Sequence, residues 1–97
     1  MIHHNVYWNF LEDMNDDQKK EAGQIIKKSL EALKESIPGI LELNVVVNEK
    51  ESSNRDIALL SVFKNEEALA FYQEHPEHKK AAVYLKQVTC NRVCFDY

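Results

Sequence analysis

The residues best suited to chemistry are gathered in one short run, Tyr72-Gln73-Glu74-His75-Pro76-Glu77-His78, and at His3 and His4 near the start of the chain. An imidazole takes up and releases a proton near neutral pH, and a phenol donates a hydrogen bond to an oxygen on which negative charge develops. Pro76 fixes a bend between two helical segments, so Tyr72 closing one and His78 opening the next can converge near His4. Such a set suits proton abstraction next to a carbonyl. The plainer reading of the same residues is that Tyr72 packs, Pro76 turns the chain, His78 is an early-turn surface residue and His4 is a hydrogen-bonded core histidine.

Other chemistries find little support. His75 and His78 are three apart, but the proline break spoils same-face presentation, and no Asp, Cys or third His has matching spacing. Neither a metal site nor a cofactor is therefore expected. There is no local signature of a Ser-His-Asp or Cys-His nucleophile and no Gly-rich phosphate loop. Cys90 and Cys94 fall in one strand, about 13 Å apart at the extended rise per residue, too far to bridge. Both read as small strand residues, and reduced thiols fit a cytosolic address.

Charge and hydropathy narrow the partners. Twelve Lys and Arg against sixteen Asp and Glu give a net charge of −4, and the basic residues are scattered rather than massed, so nucleic acid is not an expected partner. No run approaches the roughly 20 apolar residues of a membrane span, and Asn5 and Asn9 interrupt the apolar start, so no membrane association and a cytoplasmic location are expected.

The elements that must hold these side chains follow from periodicity. From Ile2 to Leu11 the even positions Ile2, His4, Val6, Trp8 and Phe10 form the apolar face of a strand, with His3 turned the other way. Asn15, with Asp16, Asp17 and Gln18, reads as a capping box opening a helix whose buried stripe is Ala22, Ile25, Ile26, Leu30, Leu33 and Ile37, ended by Pro38-Gly39. Ile40 to Asn48 reads as a strand with Leu41, Leu43, Val45 and Val47 on one side. Polar residues 49–56 read as an exposed loop. Residues 57–63 are apolar on both faces, Asn65 caps a second helix, Pro76 opens a further segment to about Lys86, and Val88 to Tyr97 alternates again, with Thr89, Asn91, Val93, Phe95 and Tyr97 opposite Cys90, Arg92, Cys94 and Asp96.

The 97 residues form one domain, 1–97, in the order strand, helix, strand, strand, helix, strand. This is an α+β, ferredoxin-like βαββαβ arrangement, with both helices on one face of a four-stranded antiparallel sheet. The other face is bare, yet the third strand places Ala58, Leu60 and Val62 on it. At about 25 cal/mol per Å², exposing such a face costs several kcal/mol, so a second identical subunit is expected to cover it.

Four short stretches, Met1-Ile2-His3-His4, Ile37-Pro38-Gly39-Ile40, His75-Pro76-Glu77-His78 and Asn91-Arg92-Val93-Cys94-Phe95-Asp96-Tyr97, resemble in order and spacing the stress-responsive A/B barrel (Dabb) family. The resemblance implies a homodimeric α+β barrel, two sheets packed face to face. Most members of that family have no assigned reaction. One, a plant cyclase, works without a cofactor, closing a linear polyketide thioester by intramolecular aldol condensation. The resemblance to its pattern implies catalytic roles for Tyr72 and His78 with His4 assisting. The chain departs from it where that cyclase has a pocket histidine, here Ile57, and a helix tyrosine, here Leu30, which points to a smaller β-keto ligand. A small apolar pocket lined by His4, Trp8, Ile57, Phe71, Tyr72 and His78 is expected. Two alternatives stand beside a cyclase: a non-catalytic ligand-binding or stress-associated protein, and a cofactor-free oxygenase or isomerase of the dimeric α+β barrel superfamily.

Overall fold

A computed structural model describes all 97 residues, Met1–Tyr97. The elements run β1 (Ile2–Phe10), α1 (Asp16–Glu31), α2 (Leu33–Ser36), β2 (Ile40–Val47), β3 (Ile57–Phe63), α3 (Glu66–Glu74), α4 (Pro76–Val88) and β4 (Thr89–Asp96). The sheet order is β2-β3-β1-β4 with every neighbouring pair antiparallel, the ferredoxin-like arrangement expected from periodicity. β1 and β3 are central, and the helices cover one face, which we call the inner face.

Burial along β1 alternates strictly from residue 4, with His4, Val6, Trp8 and Phe10 buried. Val6, Trp8 and Phe10 join Ile26 and Leu30 of α1, Leu33 of α2, Leu43 and Val45 of β2, Leu59 and Phe63 of β3, Tyr72 of α3 and Leu85 of α4 in one hydrophobic core. α1 starts as its sequence dictates. The Asn15 side chain accepts from Gln18 N at 2.8 Å, and the Gln18 side chain accepts from Asn15 N at 2.8 Å. The helical stretch breaks at Ala32, and Ile25, placed in the buried stripe by spacing, is 40% exposed.

Two strand irregularities also depart from simple alternation. A register shift between Ile40 and Glu42 in the β2–β3 ladder turns Leu41 outward, 43% exposed, and gives its core place to Ile40. On β4, Asn91 has φ of 55°, and two residues, Asn91 and Arg92, stand opposite Trp8 alone. Side-chain parity flips across this bulge. Thr89 pairs with Phe10 on the inner face, whereas Cys94 pairs with Val6 and Asp96 with His4, so Thr89 does not share a face with Val93, Phe95 and Tyr97.

Edge strand β2 is protected against stray pairing. Glu31 accepts a hydrogen bond from Val45 N at 2.9 Å, and Lys27 Nζ donates to Val45 O and to Glu31, both at 2.8 Å. Gly39, between α2 and β2, has φ of +90°, and a Cβ there would lie 2.7 Å from Ala68 Cβ. Gly39→Ala is therefore expected to cost about 2–3 kcal/mol, read as a lowered denaturant midpoint with unchanged slope.

Candidate functional site

His4 is the third residue of β1, only 3% exposed, on the inner face. The antiparallel register sets it directly opposite Asp96, and its Nδ1 lies 2.6 Å from Asp96 Oδ1. A carboxylate only accepts, so Nδ1 carries the proton and donates it. The second ring nitrogen, Nε2, is then an acceptor whenever the ring is neutral. Beneath the ring, the Ser61 hydroxyl donates to the His4 carbonyl, which fixes this stretch of β1.

His78 is the third residue of α4. Its Nδ1 lies 3.3 Å from the carbonyl oxygen of Gln73, one of the acceptors left free at the end of α3. A carbonyl also only accepts, so His78 too presents Nε2 as a base. Burial holds its pKa below the ordinary imidazole value, partly offset by the Gln73 contact and reinforced by the nearby basic groups of His4, Arg92 and Lys86. Pro76 at the first helical position and His75, whose Nδ1 accepts from Glu77 N at 3.1 Å, build the bend. His75 is thus a helix cap.

Between the two imidazoles lies a line of aromatic rings. The Tyr72 ring is 4.3 Å from that of His78 and 4.9 Å from that of Phe63, which meets His4 edge-on at 6.1 Å. Tyr72 is 1% exposed, and its hydroxyl has no hydrogen-bond partner. Burial pushes the phenol pKa far above its ordinary value, so it stays a neutral donor.

The remaining expected pocket residues lie elsewhere. Trp8 and Ile57 are buried and directly paired with each other, four residues along β1 from His4, about 13 Å at the strand rise. Phe71 is 52% exposed and meets His75 edge-on, since on α3 it points away from its buried neighbour Tyr72. Two concavities lie away from His4, Tyr72 and His78. One, of about 700 Å³, opens on the uncovered face beneath the β2–β3 loop, against Tyr7, Val46, Arg55, Ile57, Ala58 and Val93. The other, of about 490 Å³, lies between α1 and α4.

The sequence of the stress responsive A/B barrel domain family, Dabb, matches over residues 2–97. The chain belongs to the Dabb family. Solved structures agree with the sequence match. A dimeric ferredoxin-like protein of unknown function from Bacteroides fragilis superposes with a TM-score of 0.93 at 31% identity, over 99% of this chain and 93% of that one. A second dimeric ferredoxin-like protein, from Thermobifida fusca, gives 0.80 at 20% identity over 99% and 88%. The hydroxynitrile lyase of Passiflora edulis gives 0.78 at 15% identity over 99% and 90%. No curated protein matches the chain by sequence. No helix of this Dabb protein is long and apolar enough to cross a membrane.

Sequence reasoning missed three residues of the site: Arg92, Cys94 and Asp96. Their common sidedness on β4 was legible, but the place of Cys94 and Asp96 beside His4, and of Arg92 near His78, depends on a strand register set by the bulge. The Cys94 thiol lies 3.4 Å from Asp96 Oδ1 and 3.8 Å from His4 Nδ1. Burial, then Asp96, pushes its pKa up, against the opposing pull of Arg92, so it is no thiolate nucleophile.

Proposed function

We propose that this Dabb protein works as a homodimer that moves a proton at a carbon next to a carbonyl, in an aldol-type or lyase reaction on a small β-keto compound, using its own side chains. His78 is the general base, Tyr72 hydrogen-bonds the carbonyl oxygen as it gains charge, and His4, held by Asp96, assists proton transfer. The observation that carries this reading is the Tyr72 hydroxyl, which is buried and unpaired on a ring packed against that of His78. Leaving a donor unpaired costs about 1–3 kcal/mol, a penalty that a substrate oxygen would relieve. A hydroxynitrile lyase on the same fold supports a reaction of this class.

Pairing is supported by the dimeric relatives and by the uncovered sheet face. On that face Val46, Leu60, Val93, Phe95 and Tyr97 are all exposed. His3 and Tyr97 stack there at 4.5 Å, with rings nearly parallel at 5°.

The test is solvent deuterium exchange at the carbon between the carbonyls of a β-keto thioester, followed by NMR. Exchange is expected to exceed that in buffer alone. Since the neutral form of His78 is the active one and its pKa lies below 6.5, kcat/KM holds its plateau below pH 6.5 before falling with acid. No basic loss from Tyr72 is expected below pH 10, because its pKa is raised. Exchange at the buffer rate, or an acid limb centred above 6.5, contradicts the assignment. Binding without exchange would favour the second reading, a non-catalytic ligand-binding protein in which the same residues hold a ligand. Turnover that stops without O₂ would point to an oxygenase.

A further inference from the structure

β4 brings together three metal-binding side chains that no sequence spacing announced. Cys94 and Asp96 are two apart on one strand, and the register sets Asp96 opposite His4 and Cys94 opposite Val6. His4 Nδ1, Cys94 Sγ and Asp96 Oδ1 all lie within 4.8 Å of one another. We propose that they form a transition-metal site, of zinc-like preference, with its remaining position open to solvent.

The distances support a single ion. A tetrahedral zinc bound to N, S and O has ligand atoms about 3.4–3.6 Å apart. Cys94 Sγ is already 3.4 Å from Asp96 Oδ1 and 3.8 Å from His4 Nδ1. The short separation is His4 Nδ1 to Asp96 Oδ1, at 2.6 Å, and it must open by roughly 0.8 Å to meet that geometry. The Asp96 side chain is 41% exposed and free to swing, whereas His4 is locked in the sheet. The anchored ligand is thus the buried one, and the two adjustable ligands face solvent.

The donor set chooses the ion. Thiolate and imidazole favour zinc, cobalt or copper over magnesium or calcium, which take oxygen. On binding, the Cys94 thiol releases its proton to solvent, and its sulfur takes up the metal. The His4 ring keeps one proton, which passes from Nδ1 to Nε2 as Nδ1 ligates. Occupancy would therefore convert Nε2 of this buried imidazole from acceptor to donor. The site stands on these three residues and not on the reaction proposed above.

Cobalt(II) titration of chelator-treated full-length protein tests it by absorbance. A thiolate-to-cobalt charge-transfer band in the near ultraviolet is expected, saturating at one ion per chain and displaced by zinc. Cys94→Ser loses the band, Cys90→Ser and His75→Ala keep it, and Asp96→Asn shifts the titration to higher cobalt. His4 is buried, so the variants are confined to exposed or half-buried positions that leave the core intact. Absence of the band in the unmodified protein, its survival in Cys94→Ser, or its loss in Cys90→Ser or His75→Ala overturns the site. Failure of the deuterium-exchange test leaves this result untouched, because the readout needs no turnover.

Discussion

Tyr72→Phe is expected to make the protein more stable and less active in the same step. The phenol oxygen is buried and lacks a partner. Removing it while keeping the ring preserves the contacts with Phe63 and His78 and eliminates an unpaired buried donor. A gain of about 1 kcal/mol follows, read as a higher urea midpoint. If Tyr72 stabilises a developing oxyanion, loss of that one donor lowers turnover about 10²–10³-fold, with KM much less affected. His78→Ala, as a companion, removes the base and lowers turnover by a further factor or to the background rate, with the core intact because His78 is only half-buried. A merely packing tyrosine gives the first effect without the second. Unchanged stability together with unchanged turnover would remove Tyr72 from any functional role.

The second large effect is expected on the uncovered sheet face. Leu60 lies on central strand β3 with Asn44 and Asn5 across from it, at the middle of the proposed dimer contact. Its side chain points away from the helices and is 37% exposed in the single chain. Leu60→Asp would press two unpaired carboxylates, one from each subunit, into an apolar interface. Desolvation and mutual repulsion there cost about 4 kcal/mol or more, weakening association by roughly 10³-fold. Sedimentation is expected to show a monomer at micromolar concentration, with far-ultraviolet circular dichroism still native at low temperature, since the inner core does not include Leu60. Lowered thermal stability should accompany it. A variant that stays dimeric, or a native protein that is a stable monomer, refutes this face as the contact.

Much of the fold was written in side-chain period. Alternation of His4, Val6, Trp8 and Phe10 fixed β1, the Asn15-to-Gln18 box fixed the start of α1, and the apolar outward residues of β3 marked a face needing cover. Where period misled, a local device had broken it. The register shift after Ile40 displaced Leu41, and the bulge at Asn91 reversed the parity of β4. The candidate site divides the same way. Pro76 announced a bend bringing Tyr72 and His78 together, and they meet at 4.3 Å. Trp8, Ile57 and Phe71 suited a pocket by type, but position along a strand or around a helix separates them from it.

What the amino-acid order determined by itself was the set of elements, their buried faces and the bend at Pro76, because these depend on neighbours within a turn or a few residues. Tertiary structure decided which distant residues meet. Asp96 and Cys94 reach His4 across more than eighty positions through a ladder whose register is shifted by the bulge at Asn91, and no local spacing encodes that shift. Long-range pairing is settled by which register lets the whole inner face bury its apolar residues at once, a condition on the assembled sheet rather than on any one segment.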